Sequence, residues 1–176
     1  MLRIRTFGDP VLRQAARPVT DFDDALERLV DEMLETMYDA PGVGLAAPQV
    51  GIEKAFFVYD IGDGPGVLCN PQIVETSGAH RREEGCLSVP GFWFEVERPE
   101  WVVARGVDIK GDPSELSGEG LMARMLAHEI DHLNGELLID RLEKAERKAA
   151  LKEIRQVFEF GGGGSLIPPR HGERKA

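Results

Sequence analysis

Two histidines four residues apart, with a glutamate between them, are the residues in this sequence best suited to metal chemistry. The segment from His128 to His132 reads H-E-I-D-H, an H-E-x-x-H spacing. Residues four apart lie on one face of a helix, with Cβ atoms about 5–6 Å apart, so two imidazoles at this spacing can bind one metal ion. Glu129 would lie beside that ion without being a ligand. We therefore predict a metal site at His128 and His132, with Glu129 as its acid/base.

A catalytic metal site usually has three protein ligands and one open position. The chain has two cysteines, and Cys86 is the better candidate for the third ligand. It lies in the segment 83–90, where Gly85 permits close approach of the backbone and Pro90 ends the extended run. Cys69 has apolar neighbours typical of a strand buried in the core. We predict Cys86 as the ligand and Cys69 as a core thiol.

Two other interpretations of this motif stay open at the level of sequence. The first is a zinc endopeptidase with a downstream glutamate as third ligand, for which Glu143, Glu146 and Glu153 are candidates. The second is a structural metal closed by a fourth protein ligand, for which Cys69 is a candidate. The metalloprotease motif with a third histidine is excluded, because Leu138 occupies that position.

Hydrophobic periodicity predicts helices in the first and last parts of the chain, with short strands between them. We expect an N-terminal helix over residues 22–38 with Asp21 as its N-cap, and a C-terminal helix over 143–158. Between them, antiparallel strands are expected at 55–59, 72–76 and 101–107. The motif helix is expected from about 119 to 134, with Gly135 as its left-handed cap.

The motif helix presents two stripes of side chains with different expected roles. Leu121 and Met125 continue the face of His128 and His132, so this stripe would line a pocket. The second stripe is apolar and would join the core; it consists of Leu126, Ile130 and Leu133.

Charge and composition exclude several classes of protein. Lys and Arg total 21 against 31 acidic residues, and the formal charge of −10 argues against a DNA-binding protein. No apolar run approaches membrane-spanning length, and the first residues lack the apolar stretch of a secretory signal, so we expect a cytoplasmic enzyme without membrane contact. We expect one catalytic domain over residues 1–160 and a flexible Gly/Pro/charged tail over 161–176.

A glycine-rich segment at 42–49 has small residues that would let a substrate backbone come close. It lacks both the Lys-Ser/Thr ending and the three-glycine spacing of phosphate-binding loops. Gln49 is suited to donating an amide N–H to a developing oxyanion. Taken by itself, the segment is more typical of a tight packing turn than of a substrate-binding site.

Three motifs in order give the sequence a resemblance to a known family. They are G-x-G-L-A-A-x-Q at 42–49, E-G-C-L-S at 84–88 and H-E-x-D-H-L-x-G at 128–135. Together they resemble the pattern of the peptide deformylases over roughly residues 1–158. The resemblance implies an α+β fold in which antiparallel strands surround a central metal-binding helix that carries the H-E-x-x-H pair. It also implies hydrolysis of the N-formyl group from the N-terminal formyl-methionine of newly synthesised proteins. It thus implies a nascent polypeptide as substrate, and a transient ribosome association would suit that substrate.

The resemblance also implies roles for individual residues. Cys86, His128 and His132 would bind one divalent metal, commonly Fe²⁺ and often replaced by Zn²⁺ or Ni²⁺. Glu129 would be the general acid/base, and Gln49 with the backbone N–H of Leu87 would stabilise the oxyanion.

The remaining implied roles concern substrate binding. Gly44 and Gly85 would pair with the substrate backbone, while Leu121, Arg124, Met125 and His128 would border the methionine pocket. The resemblance assigns no role to residues 91–94, a region where family members differ, nor to the tail.

Overall fold

A computed structural model describes residues 1–160, which form three α-helices and seven β-strands. The helices are α1 Asp24–Asp39, α2 Leu121–Leu133 and α3 Lys144–Phe160. The strands are β1 Gly44–Ala46, β2 Phe56–Tyr59, β3 Gly66–Ser77, β4 His80–Gly85, β5 Trp93–Arg98, β6 Trp101–Val107 and β7 Pro113–Glu119. The predicted α+β class is confirmed. The predicted tail at 161–176 lies outside the described residues.

The strands form two antiparallel sheets. The larger has five strands in the order β1-β2-β3-β6-β7, and the smaller is the pair β4-β5. Strand β1 is therefore an edge strand, and β4 also has one edge that pairs with no strand of the described residues. Free edges of this kind can accept an added strand.

Helix α1 begins two residues later than predicted at its N-cap. Asp23, not Asp21, is the cap, because its side chain accepts a hydrogen bond from the Leu26 backbone N–H at 3.0 Å. The helix buries Leu26, Val30, Met33 and Met37 against the start of the larger sheet. Cys69 of β3 lies in the same core and is fully buried, as predicted for a core thiol.

Helix α2 is buried along most of its length, and this is what holds the motif residues in place. Leu126, Ile130 and Leu133 pack against β2 and β3 in the second core cluster, so the predicted core stripe is confirmed. Gly135 follows the helix with φ 75°, the left-handed conformation expected of its cap. None of the helices within residues 1–160 is both long and apolar enough to cross a bilayer.

Candidate metal centre

Three side chains bring soft and nitrogen ligand atoms together next to α2. The Nε2 atoms of His128 and His132 are 3.1 Å apart, and Cys86 Sγ lies 3.4 Å from His132 Nε2. The three ligand atoms all lie within 4.8 Å of one another, and the three residues are buried. The spacing in the sequence predicted that the two histidines share one face of a helix. The fold brings Cys86, the residue directly after β4, next to them.

The chemistry of this set fits a divalent transition metal. A thiolate and two imidazoles are ligands that zinc and iron accept, and three ligands leave a position open. Burial lowers the pKa of His132 well below its usual value, which keeps the imidazole neutral as a metal ligand must be. A bound cation would stabilise the two Nε2 atoms of His128 and His132, which lie 3.1 Å apart.

Glu84 sets the orientation of His128. Its Oε2 lies 2.8 Å from His128 Nδ1, so this contact holds the proton on Nδ1 and leaves the Nε2 lone pair facing the other ligands. Burial would raise the pKa of Glu84, but hydrogen bonds from His128 and Arg98 lower it to about 2. Glu84 is therefore a buried carboxylate anion.

Arg98 links this carboxylate to a second one on α2. Its guanidinium donates to both oxygens of Glu84, at 3.2 and 2.8 Å, and to Asp131 Oδ2 at 2.6 Å. Arg141 donates two further hydrogen bonds to the Asp131 carboxylate, at 2.6 and 3.0 Å. None of these roles was predicted from the sequence, although Arg98 lies on the same inward face of β5 as Phe94 and Val96. We refer to Glu84, Arg98 and Asp131 as the buried charge network; Arg141 contacts it from the exposed surface.

Replacing Arg98 by methionine is expected to lower the free energy of unfolding by about 3–5 kcal/mol, because two buried carboxylates would lose their shared cation. Arg98 is only 3% exposed. Urea denaturation in chelator, which removes any contribution from metal binding, measures the effect. The matched control is Arg105→Met, whose pair with Glu115 is exposed and worth about 0–1 kcal/mol. Equal losses in the two variants would contradict the role of the network.

Glu129 carries a buried carboxyl group that does not belong to the three-residue ligand cluster. It is 4% exposed, and its Oε2 has no hydrogen-bond partner among the described residues. Burial raises the pKa of Glu129 to about 7. A Cβ on Gly44 would lie 2.5 Å from Glu129 Oε1, so only glycine leaves room for this carboxylate.

Gln49 is a buried side chain that contacts Cys86. Its Oε1 accepts from the Ala46 backbone N–H at 3.0 Å, which fixes the amide orientation. Its Nε2 then faces Ser88 Oγ at 3.1 Å and Cys86 Sγ at 3.8 Å. Leu87, half-buried, lies between these two residues in the chain. The structure thus places the Gln49 amide next to Cys86.

One backbone edge of strand β1, on the side of Gln49, pairs with no strand of the described residues. Ala46 N–H bonds to Gln49 rather than to β2, and Val43 O accepts from Asp60 N–H on the β2 side. Because backbone groups alternate along a strand, Gly44 shares the outward direction of Ala46. Gly85 ends β4 directly before Cys86.

Apart from His128, the predicted pocket residues have different environments. Leu121 and Arg124 are partly exposed at the start of α2. Met125 is 2% exposed and packs in the core with Phe57 and Leu68, so its contacts in this structure are those of a core residue.

Neither rival ligand set is assembled. Glu143, Glu146 and Glu153 are all exposed, and none belongs to the cluster found among residues 1–160. Cys69 lies outside that cluster as well, and burial raises its pKa to about 11. A protonated core thiol does not close the site as a fourth ligand.

A family model, related sequences and solved structures all match this chain, and they all describe the same kind of protein. A sequence model of the family described as Polypeptide deformylase matches residues 1–148. A peptide deformylase of Thermotoga neapolitana is 49% identical over 164 residues, covering 93% of this chain and 100% of that protein. One of Clostridium botulinum is 55% identical over 141 residues, covering 80% and 96%. The crystal structure of a peptide deformylase from Legionella pneumophila has a TM-score of 0.86 and 42% identity, covering 93% and 99%.

Proposed function

The chain belongs to the polypeptide deformylase family of hydrolases, and from that premise we propose the reaction in full. The enzyme hydrolyses the formyl amide at the N-terminal methionine of newly synthesised proteins and releases formate. Cys86, His128 and His132 hold the one divalent metal on which the reaction depends. The observation that carries this proposal is the convergence of three buried ligand atoms within 4.8 Å, beside an unpartnered carboxylate.

Fe²⁺ is the physiological metal we propose, with Zn²⁺ or Ni²⁺ able to replace it. A site of one thiolate and two imidazoles accepts all three ions. When bound, the metal supplies Lewis acidity, which makes water more acidic and polarises a carbonyl group.

Glu129 moves the proton in the proposed mechanism. Its carboxylate accepts a proton from the attacking water, and oxygen from that water bonds to the formyl carbon. The C–N bond then breaks, and Glu129 returns the proton to the departing amine, leaving formate and a free N-terminus. A pKa of about 7 suits both transfers, because general acid–base catalysis is most effective when the group titrates near the working pH.

Gln49 and the Leu87 backbone N–H stabilise the negative charge that grows on the formyl oxygen. The Ala46 N–H holds the Gln49 carbonyl, so its NH₂ group is already aimed at the site. Donors fixed before the reaction need no reorganisation in the transition state.

Replacing Gln49 by leucine is expected to lower kcat by about 10²–10³-fold, as for loss of one oxyanion donor. KM and metal content should change little, because Gln49 is no ligand. Initial rates of formate release, together with metal analysis, measure this. A melting curve checks that freeing the Ala46 N–H has not unfolded the protein. A kcat within threefold of the original would refute the role.

The substrate backbone binds between the edges of β1 and β4 as an added strand. Gly44 offers outward backbone groups, and Gly85 has no side chain to block the approach. The methionine side chain enters a pocket at α2 bordered by Leu121, Arg124, Met125 and His128.

We propose the cytoplasm as the site of action and a transient association with the ribosome, where formylated chains emerge. One side of α3 exposes Lys148, Lys152 and Arg155, which suits contact with an anionic surface. The overall charge of −10 argues against a role on DNA.

Formate release from a formyl-Met-Ala-Ser peptide, with anaerobically purified protein, tests the proposed function. We expect turnover that disappears with chelator and returns with Fe²⁺. Cleavage of an internal peptide bond in an unformylated peptide is measured in parallel. Internal cleavage without formate release would identify an endopeptidase and refute the proposal.

A further inference from the structure

Trp93 is a large apolar side chain standing at the rim of the metal centre. It is 50% exposed, although it is the first residue of a paired strand. Its partner across the hairpin is Gly85, and a Cβ on Gly85 would lie 2.7–2.9 Å from the Trp93 six-membered ring. The ring therefore covers the backbone directly before Cys86, with half of its surface open to solvent.

The same face of the β4-β5 hairpin carries acidic residues. Side chains alternate along a strand, so Trp93, Glu95 and Glu97 share one face with Arg81 and Glu83. Glu83 lies directly opposite Glu95, and both are exposed. Neither forms an ion pair within the part of the chain that the structure describes, and like charges facing each other are destabilising.

No basic group on that face neutralises this pair. Arg81, the one basic residue on the face, lies opposite Glu97 at the far end of the hairpin and contacts Glu146 of α3 at 3.7 Å. Glu83 is diagonal to Trp93, a position within reach of a long side chain bound on the ring. An aromatic face flanked by two unneutralised carboxylates is a surface that attracts a cation.

The proposed path of the substrate leads onto this surface. Successive side chains of an extended peptide point to opposite faces. If methionine points toward α2, the next residue points to the opposite face, where Trp93 stands. This step rests on the proposed function, because it takes the substrate to be an added strand beside Gly85.

We propose that Trp93, with Glu83 and Glu95, selects a basic side chain at the residue after the formyl-methionine. The aliphatic stem and cationic head of Lys or Arg pack on the indole ring, and the two carboxylates complement the charge. An acidic side chain at the same position is repelled. Trp93 is then a specificity-determining residue of this enzyme.

The test compares kcat/KM for three amidated peptides, formyl-Met-Lys-Ala, formyl-Met-Ala-Ala and formyl-Met-Glu-Ala, with the metal-loaded enzyme. We expect the Lys peptide to exceed the Glu peptide by about tenfold, the combined size of an exposed cation–π contact and a surface charge interaction. The preference should appear mainly in KM and should weaken as salt is added.

Variants separate the ring from the charges. Trp93→Ala should reduce the Lys/Ala ratio by about two- to fivefold, and Trp93→Phe should retain part of it. The double variant Glu83→Gln/Glu95→Gln should bring the Lys/Glu ratio to about twofold. Glu97→Gln, on the same face but farther along the hairpin, should leave both ratios unchanged.

Two outcomes would overturn the inference, and they differ from failure of the proposed function. The first is equal kcat/KM for the Lys and Glu peptides; the second is a Lys/Ala ratio that does not change in Trp93→Ala. In either case good hydrolysis of formyl-Met-Ala-Ala leaves the proposed function standing. If none of the three peptides is hydrolysed, both proposals fall.

Discussion

Replacing Glu129 by glutamine is expected to reduce kcat/KM for formate release by about 10³-fold or more, while metal content stays at one ion per chain. Positioned acid–base groups typically contribute about 10²–10⁴-fold, and here one carboxylate handles both proton transfers. Glutamine keeps the shape beside Gly44 but cannot accept the proton. Glu129→Asp should be similarly impaired, because its shorter side chain withdraws the carboxylate from the site.

A glutamate outside the site provides the control for this loss. Glu143 is exposed near the start of α3 and is also a candidate ligand in the endopeptidase interpretation. Glu143→Gln should retain normal activity and normal metal content. If Glu129→Gln kept even a tenth of the original kcat/KM, the assigned role would be wrong.

Replacing Cys86 by serine is expected to weaken metal binding by more than about a hundredfold. Loss of a residue that merely orients a ligand already costs about 10–100-fold in affinity, and here a ligand itself is lost. A hydroxyl is a poor substitute for a thiolate, which binds transition metals strongly. Metal content after dialysis against increasing chelator measures the change, and formate release should fall in parallel.

The second cysteine makes this experiment specific. Cys69→Ala removes a thiol that lies in the α1 core and outside the ligand cluster, so it should leave the metal affinity unchanged. If Cys86→Ser and Cys69→Ala both kept normal metal content and activity, Cys86 would not be the third ligand.

The histidine pair and the helix that carries it could be predicted from the sequence because they depend on local periodicity. His128, His132 and the core stripe of α2 follow from spacing alone, as does the cap at Gly135. Cys86 is forty-two residues before His128, and its preference over Cys69 rested on neighbouring glycine and proline residues; the family resemblance then supported it.

Strands β1, β4, β5 and β7 were not predicted, and for β4 and β7 the reason is physical. The β4 sequence His80-Arg81-Arg82-Glu83-Glu84-Gly85 has no apolar alternation, since its inward positions include a buried carboxylate. Strand β7 is equally polar because it lies at the edge of the larger sheet. Alternation of apolar residues identifies a strand only where its buried face is apolar.

The buried charge network was missed for the same reason. A charged residue in a sequence is normally assigned to the surface, and Arg98 is buried only because Glu84 and Asp131 are buried with it. These three charges lie in β4, β5 and α2, which are far apart in the chain, so no local sequence pattern indicates that they neutralise one another. Asp131 lies inside the motif, yet its partner could be found only from the fold.

The most direct test of the central claim is a crystal structure of the anaerobically purified, metal-loaded protein, with the ion located by anomalous scattering. We expect one ion bound jointly by Cys86 Sγ, at about 2.3 Å, and by the Nε2 atoms of His128 and His132, at about 2.1 Å. An ion bound elsewhere, or a Cys86 sulfur more than about 3 Å from an ion held by the histidines, would contradict the account.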